Sequence, residues 1–385
     1  WDPDDTGPDT PLLIAGGEFV FLQGAVPEIE KIASWNGSLW RPLGTGVGAD
    51  ANEGVLALAT WDPDGLGVAT RRLIVGGDFT QAGSRVTPYI AEFGRASSTW
   101  RNSSGGVFDD PLRWLCGVEP SRFDRIFFDA VTAGYTPSSF AVALPSGLHT
   151  DPIRAGAMRV RTDTVTLNLV ARPLILDADQ GLNDPSLVIG DIPTQPATLV
   201  VRNTFSPPVE FTAGSVVIGD VATNSPLIRQ LRVQDANAEF RATGDMYVGR
   251  AGNKGELVVQ SGAGATIEGL MSVATEPGSV GEVRVVNSGS LLLLNADDKS
   301  ASIGVRGSGT LRIGGIGTQA GADVASLGRM DTLTVGLLSG AAGNVRVSGA
   351  GSAWTILARR IFFGYAAPTT VIIENGGLLD TDTLG

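Results

Sequence analysis

Past about residue 180 the chain alternates apolar and polar positions in short runs, broken by Gly, Ser or Asn. Thr332-Leu333-Thr334-Val335-Gly336 is one run, Gly343-Asn344-Val345-Arg346-Val347-Ser348-Gly349 the next, and Ser352-Ala353-Trp354-Thr355-Ile356 the third. The same trio appears in Asp245 to Gly249, Gly255 to Gly262 and Ala265 to Glu268. Period-two alternation predicts strands, three to a unit, and helical periodicity is absent. Each unit carries an apolar pair ending in Gly: Ile189-Gly190, Ile218-Gly219, Val248-Gly249, Ile303-Gly304, Val335-Gly336 and Phe363-Gly364, with Val273-Ala274 in the gap. Their spacings are 29, 30, 25, 30, 32 and 28 residues. A unit this short cannot bury its own apolar face, so the pattern predicts coils of about 29 residues stacked into a parallel β-helix. Val335, Val345 and Val347 should face its core, and Asn344 and Arg346 solvent.

The N-terminal part repeats differently. Trp1-Asp2-Pro3-Asp4 recurs as Trp61-Asp62-Pro63-Asp64, and Ile14-Ala15-Gly16-Gly17-Glu18-Phe19 as Ile74-Val75-Gly76-Gly77-Asp78-Phe79, both 60 residues later. The second unit reads as four short strands, at Val55 to Ala59, Leu73 to Val75, Tyr89 to Phe93 and Thr99 to Arg101, separated by turn-rich segments. Four strands with a Gly pair closing the second and an aromatic in the fourth describe a propeller blade. Gly17 to Trp40 and Gly77 to Trp100 both span 23 residues. These features resemble the Kelch and galactose-oxidase-like blade. The glycines are expected where backbones approach closely and φ excludes a side chain.

A degraded third unit is expected at Leu112-Arg113-Trp114-Leu115, Val118-Glu119-Pro120 and Ile126-Phe127-Phe128-Asp129. About two and a half blades cannot close a propeller, which takes four to eight. Blades before Trp1, or blades shared between chains, are favoured over an open stack. The expected organisation is all-β: propeller-like blades over 1–150, a junction with the first coil over 151–180, and the parallel β-helix over 181–385.

Gly255-Glu256-Leu257-Val258-Val259 and Gly349-Ala350-Gly351-Ser352-Ala353-Trp354 resemble passenger repeats of bacterial autotransporter-type and PEP-CTERM-associated surface proteins. That resemblance covers about residues 186–385 and implies a right-handed β-helix displayed outside the cell. No translocating barrel accompanies it.

Composition narrows the partners. The 385 residues carry a formal charge of −12 with a pI near 4.6, which argues against nucleic acid and against an anionic membrane surface. No apolar run reaches the eighteen residues a membrane span needs. With 52 Gly and 43 % apolar residues the chain is too apolar for disorder. It begins at Trp1 inside one repeat and stops at Gly385 inside another, so further segments are expected beyond both ends.

Candidate chemistry is sparse. The only cysteine, Cys116, reads as a small buried residue, and the only histidine, His149, as a polar linker residue. A nucleophilic triad has no other base to use. Asp2-Pro3-Asp4 and Asp62-Pro63-Asp64-Gly65 place oxygens in turns as calcium loops do, but lack a closing Glu and read first as turns. Polysaccharide-cleaving β-helices cluster carboxylates on one face. Here Asp220, Asp235, Glu239, Asp245, Glu256, Glu268, Glu276 and Glu282 are expected at turns and strand edges, stacked at no common repeat position. Asp297-Asp298-Lys299 reads as a solvated turn. Gly314-Gly315-Ile316-Gly317 leads into no helix and is rejected as a phosphate loop. Thr318 to Arg329 reads as a coil insertion, a helix or loop on one face.

The pattern therefore favours a non-enzymatic structural or adhesive protein, extracellular or at a bacterial cell surface, with no cofactor and no metal. Val371 to Leu379 remains apolar and β-prone with no cap following, so head-to-tail self-association into a filament is expected. The alternatives are a surface module binding glycans and, behind it, a polysaccharide-degrading enzyme.

Overall fold

A computed structural model describes residues 1–2, 11–19, 31–35, 37, 40–43, 46–48, 52–62, 71–82, 85–93, 97–101, 103–110, 113–114, 120, 124–144, 152–170, 172–176, 185–220, 227–287, 290–294, 300–314, 324–349 and 352–381. The chain divides into two compact units, one holding Trp1–Ser98 and the other dominated by Pro185–Gly385 with Thr99–Glu119 and Ile126–Ala178.

The first unit is built of small antiparallel sheets. One orders Leu13–Gly16, Ile32–Trp35 and Trp40–Pro42, and another orders Val55–Trp61, Arg72–Gly77 and Ile90–Phe93. The 60-residue repeat is thus real in space, but each sheet has three strands among the described residues, which show small antiparallel sheets and no four-stranded blade. The kinship is closest at the turns. Gly17 donates to the Lys31 carbonyl and Lys31 to that of Phe19, just as Gly77 donates to Tyr89 and Tyr89 to Phe79. Lys31 and Tyr89 both sit at positive φ, 61° and 70°. The second glycine of that pair is required by space, not by φ: a Cβ on Gly77 would stand 2.0 Å from the Gly54 carbonyl oxygen.

The second unit is a parallel β-solenoid of about eight turns with coils of about 28 residues. Three parallel ladders run along it. Ladder 1 holds ten strands, from Gly106–Val107 through Lys254–Gln260 to Thr369–Glu374. Ladder 2 runs from Ile153–Ala155 through Ala238–Ala242 to Leu378–Thr381, and ladder 3 from Ala157–Val160 through Met246–Arg250 to the end of Ala353–Phe363. Ladders 2 and 3 merge where Val324–Val335 and Ala353–Phe363 run continuously through both.

All seven anchors of the sequence period fall in one column at the end of ladder 3. Ile189, Ile218, Val248, Val273, Ile303, Val335 and Phe363 are successive register partners. The residue after each is left-handed, from Gly190 at φ 77° to Gly364 at 69°, with Ala274 at 58°. The chain turns there into ladder 1, and a second glycine column, Gly255, Gly281, Gly309 and Gly343, lines the other side of the corner. A Cβ on Gly309 would meet the Gly304 nitrogen at 2.1 Å. Both glycine columns are therefore fixed by one close approach. Inside the coils, Val335, Val345 and Val347 are buried as the alternation predicts, while Asn344 and Arg346 lie on the outward, partly exposed positions.

Three expectations change. Of the residues read as a third blade, Arg125–Phe128 joins the ladder of Ala157–Val160, and Trp114 is buried in the solenoid core with Trp100, the aromatic assigned to a blade's fourth strand. Ser139–Ala143 pairs with Thr164–Asn168 in ladder 1, so the solenoid begins well before the junction placed at 151–180. Finally, part of the stretch read as an insertion is a strand of ladder 2, because Val324 to Leu327 pair with Leu291 to Leu294.

Candidate functional site

Two features of the solenoid stand out: the charged outer face of ladder 1 and the unequal ends of the core. On the outer face the parallel register stacks like residues. Glu256 is the partner of Glu282, and Arg284, Arg312 and Arg346 are successive partners one coil apart. The expectation that acids share no repeat position is corrected here, and Glu210 stacks on Glu239 in ladder 2 as well. Uneven corner lengths hide this register in the sequence.

Stacked like charges repel unless each finds an opposite partner. Here the acid of one coil reaches the arginine of a neighbouring coil. Arg284 Nη2 lies 3.4 Å from Glu256 Oε2, Arg312 Nε lies 3.0 Å from Glu282 Oε1, and Arg346 binds Glu374. Glu256 also takes Gln230 Nε2 at 2.8 Å and Lys254 Nζ at 3.1 Å. The other ladder and the corners repeat the device: Arg241 binds Glu268, Arg250 reaches Asp220 at 3.2 Å, and Arg202 reaches Asp235 at 2.8 Å. Each exposed pair is worth little alone, on the order of 0.2–1 kcal/mol. Their collective effect is to tie successive coils in one register.

One cation breaks the glycine column. Arg229 stands in ladder 1 beside Gly255 and is fully buried, its guanidinium donating to the carbonyls of Leu227, Ile192 and Pro193 and to Asn253 Oδ1 at 2.8–3.3 Å. Its Cγ fills the space a Cβ on Gly190 would need. Burial lowers its pKa, and the ring of carbonyl acceptors holds the charge in place.

At the N-terminal end the core is plugged by aromatics. Trp100 meets Trp114 edge-on at 5.0 Å between centroids and stacks on Phe140 at 6.1 Å, with Phe108 and Phe128 completing the cluster. Beside it a one-turn helix, Ala130–Ala133, is capped by Asp129 at its start and by left-handed Gly134 at its end. Arg161 bridges Asp129 and Asp191 at 3.2 and 3.0 Å. Tyr135 donates to Asp163, which also accepts from the Ser138 amide. Burial raises the pKa of Asp163 and, with Asp163 beside it, pushes the Tyr135 phenol well above its ordinary value.

The last described coil differs. Phe363 continues the buried anchor column and Ile373 the column of Val347, yet they are 44 % and 39 % exposed because no described coil packs over them. Tyr365, Ile372 and Leu378 are exposed beside them.

Of the sequence candidates, Asp62 lies 3.9 Å from Arg71 Nε. Asp4, Asp64, Cys116, His149, Asp297 to Lys299 and Gly315 to Gly317 lie outside the described residues. Among the described residues, no three His, Cys, Asp or Glu side chains group as metal ligands, and no helix is long and apolar enough to cross a membrane. Sequence reasoning missed Arg229 and the inter-coil clamps; the signal for the latter is the recurrence of Val-Arg-Val, in Gly281-Glu282-Val283-Arg284-Val285 and in Val345 to Val347. No family model, no curated protein and no solved structure matches the chain.

Proposed function

We propose that this chain is a non-enzymatic structural protein, displayed extracellularly or at a bacterial cell surface, that associates with copies of itself. The observation carrying the structural reading is the use of the outer-face charges. Glu256, Glu282 and Glu374 are each engaged by an arginine of a neighbouring coil. A carboxylate so held is poorly placed to take up a sugar or a proton, whereas it serves a scaffold well. The surface location rests on the likeness to passenger repeats and on the single cysteine in 385 residues. Self-association is supported by exposed apolar side chains such as Val86, Tyr89 and Ile90 of the first unit, since exposed apolar patches mark interaction surfaces.

Multi-angle light scattering across a hundredfold range of concentration, paired with electron microscopy, tests the association. Concentration-dependent assembly is expected, and a monomer at the highest concentration ends that reading. Incubation with plant and bacterial polysaccharides tests the rest: cleavage that disappears on Glu256→Gln or Glu282→Gln would replace the scaffold by an enzyme.

A further inference from the structure

Beside the aromatic plug sits a buried carboxylate that meets only neutral donors. Asp163 immediately precedes Thr164–Asn168 of ladder 1 and is 1 % exposed. Its oxygens accept from the Tyr135 hydroxyl at 2.9 Å, the Ser138 amide at 3.0 Å and the Thr162 hydroxyl at 3.2 Å. On the next coil, the Thr198 amide donates to the Asp163 carbonyl. No cation pairs with it among the described residues. Arg161, two residues away, bridges Asp129 and Asp191 instead. Asp129 is itself 2 % exposed, so the corner holds a second buried carboxylate.

One short segment hangs on Asp163 at three points. Its start is held through Thr162, whose hydroxyl oxygen accepts from the Ala130 amide at 2.8 Å. Its middle is held by Tyr135 and its end by Ser138. The segment also bears on the plug, because Tyr135 meets Phe140 edge-on at 6.5 Å between centroids. The state of this one carboxylate therefore decides how firmly residues 130–138 lie against the N-terminal end of the core.

We propose that Asp163 makes this segment a proton-operated latch: taking up one proton tightens residues 130–138 over the plug, and losing it loosens them. A carboxylate buried among neutral donors and near a second carboxylate favours its neutral form. The neutral acid can still accept from Ser138 on one oxygen while the other directs its new proton toward Tyr135. Burial raises the pKa of Asp163 above the ordinary 3.8, the hydrogen bonds oppose this, and the charge of Asp129 adds to it. The sign follows: folding takes up a proton, so the latch strengthens as the pH falls through the raised value and is fully tightened below the ordinary one. Carboxylates paired with cations respond to acid in the opposite sense. Tyr135 keeps its proton throughout this range. The latch stands independently of the proposed scaffold role.

Amide hydrogen exchange over residues 130–138 of the full chain, corrected for the intrinsic effect of pH, tests it. Protection should rise as the pH is lowered from about 8 to about 4, by up to about tenfold per pH unit, the limit for one proton. Asp163→Asn is neutral at every pH and can still accept from Ser138. It should hold the segment at about pH 8 as acid holds it in the parent, and abolish the pH dependence. The carbon-13 shift of the Asp163 carboxyl reads the titration in the parent without any substitution, and should move above the ordinary aspartate range. Protection that falls on acidification, an Asp163→Asn chain that keeps the parent's pH dependence, or a carboxyl that titrates at or below the ordinary range overturns the proposal.

Discussion

At the scale of single residues, the corner column ending ladder 3 isolates the cost of a left-handed backbone. Six of its seven positions are Gly and one is Ala274, at φ 58° and buried. A Cβ in this conformation costs about 1–2 kcal/mol. Replacing Ala274 by Gly recovers that, but loses a buried methyl worth about 0.8 kcal/mol and adds about 0.5–1 kcal/mol of chain entropy. Ala274→Gly should therefore lie within about 0.8 kcal/mol of the parent, unusual for a buried alanine. The reverse exchange has no such balance. A Cβ on Gly304 would sit 2.2 Å from the Ala342 carbonyl oxygen, so Gly304→Ala should cost about 2–3 kcal/mol or more. Urea midpoints of the two variants check both signs. A second residue-level prediction concerns Tyr135. Its folded pKa is raised above 10.0 by burial and by Asp163, so the stability it lends is complete below pH 10 and is lost as the pH rises beyond it. Tyr135→Phe should give up its hydrogen bond to Asp163 at neutral pH, about 1 kcal/mol, and show a shallower loss of stability in alkali. Parallel pH–stability curves for the two proteins would refute it.

At the scale of strands and coils, what the sequence reveals is set by whether a position is forced. The apolar-Gly anchors are forced by a turn, so they recur at 25 to 32 residues and give the solenoid, its coil length and its core register directly. The 60-residue repeat is likewise read from Gly16-Gly17 and Gly76-Gly77, in which Gly16 and Gly77 are forced by close approach. Segments just past a repeat are less legible. Ile126-Phe127-Phe128 looks like a failed blade strand because an apolar strand reads the same in an antiparallel sheet as in a parallel ladder. Val324 to Leu327 escape notice because the preceding corner is long. Arg229 replaces a column glycine and is invisible to a search for Gly. The charge clamps need the register, which only the stacked coils supply. Core and clamp should respond differently to removal. Phe240 is buried and packs edge-on against Phe211 at 5.5 Å, so Phe240→Ala should cost about 3–5 kcal/mol. Arg312→Ala, which breaks the partly exposed pair with Glu282, should cost less than about 1 kcal/mol, and less still in about 1 M salt. Similar losses for both would mean the outer ladder carries stability that exposed pairs do not ordinarily supply.

At the scale of the whole molecule, the two ends of the solenoid core decide how copies can meet. Sequence alone suggests two unfinished ends and hence a head-to-tail filament. The structure closes one of them: Trp100, Phe108, Trp114, Phe128 and Phe140 fill the N-terminal end, with the capped helix Ala130–Ala133 beside them. A filament built by stacking cores needs two open faces, and a plugged end supplies none. The last described coil, in contrast, presents Phe363, Ile373 and Leu378 together with the backbone edges of Thr369–Glu374 and Leu378–Thr381, which no further described strand pairs. A self-complementary contact through that one face gives an isologous pair, which closes at two copies. A contact between copies through that face should accordingly be tail to tail. Because Phe363 and Ile373 are already substantially exposed, Phe363→Lys with Ile373→Lys should change the unfolding midpoint little while placing like charges across the two-fold. Sedimentation equilibrium should then show a dimer for the parent and a monomer for the double variant. Filaments from the parent, or a dimer that survives the double substitution, would place the contact elsewhere.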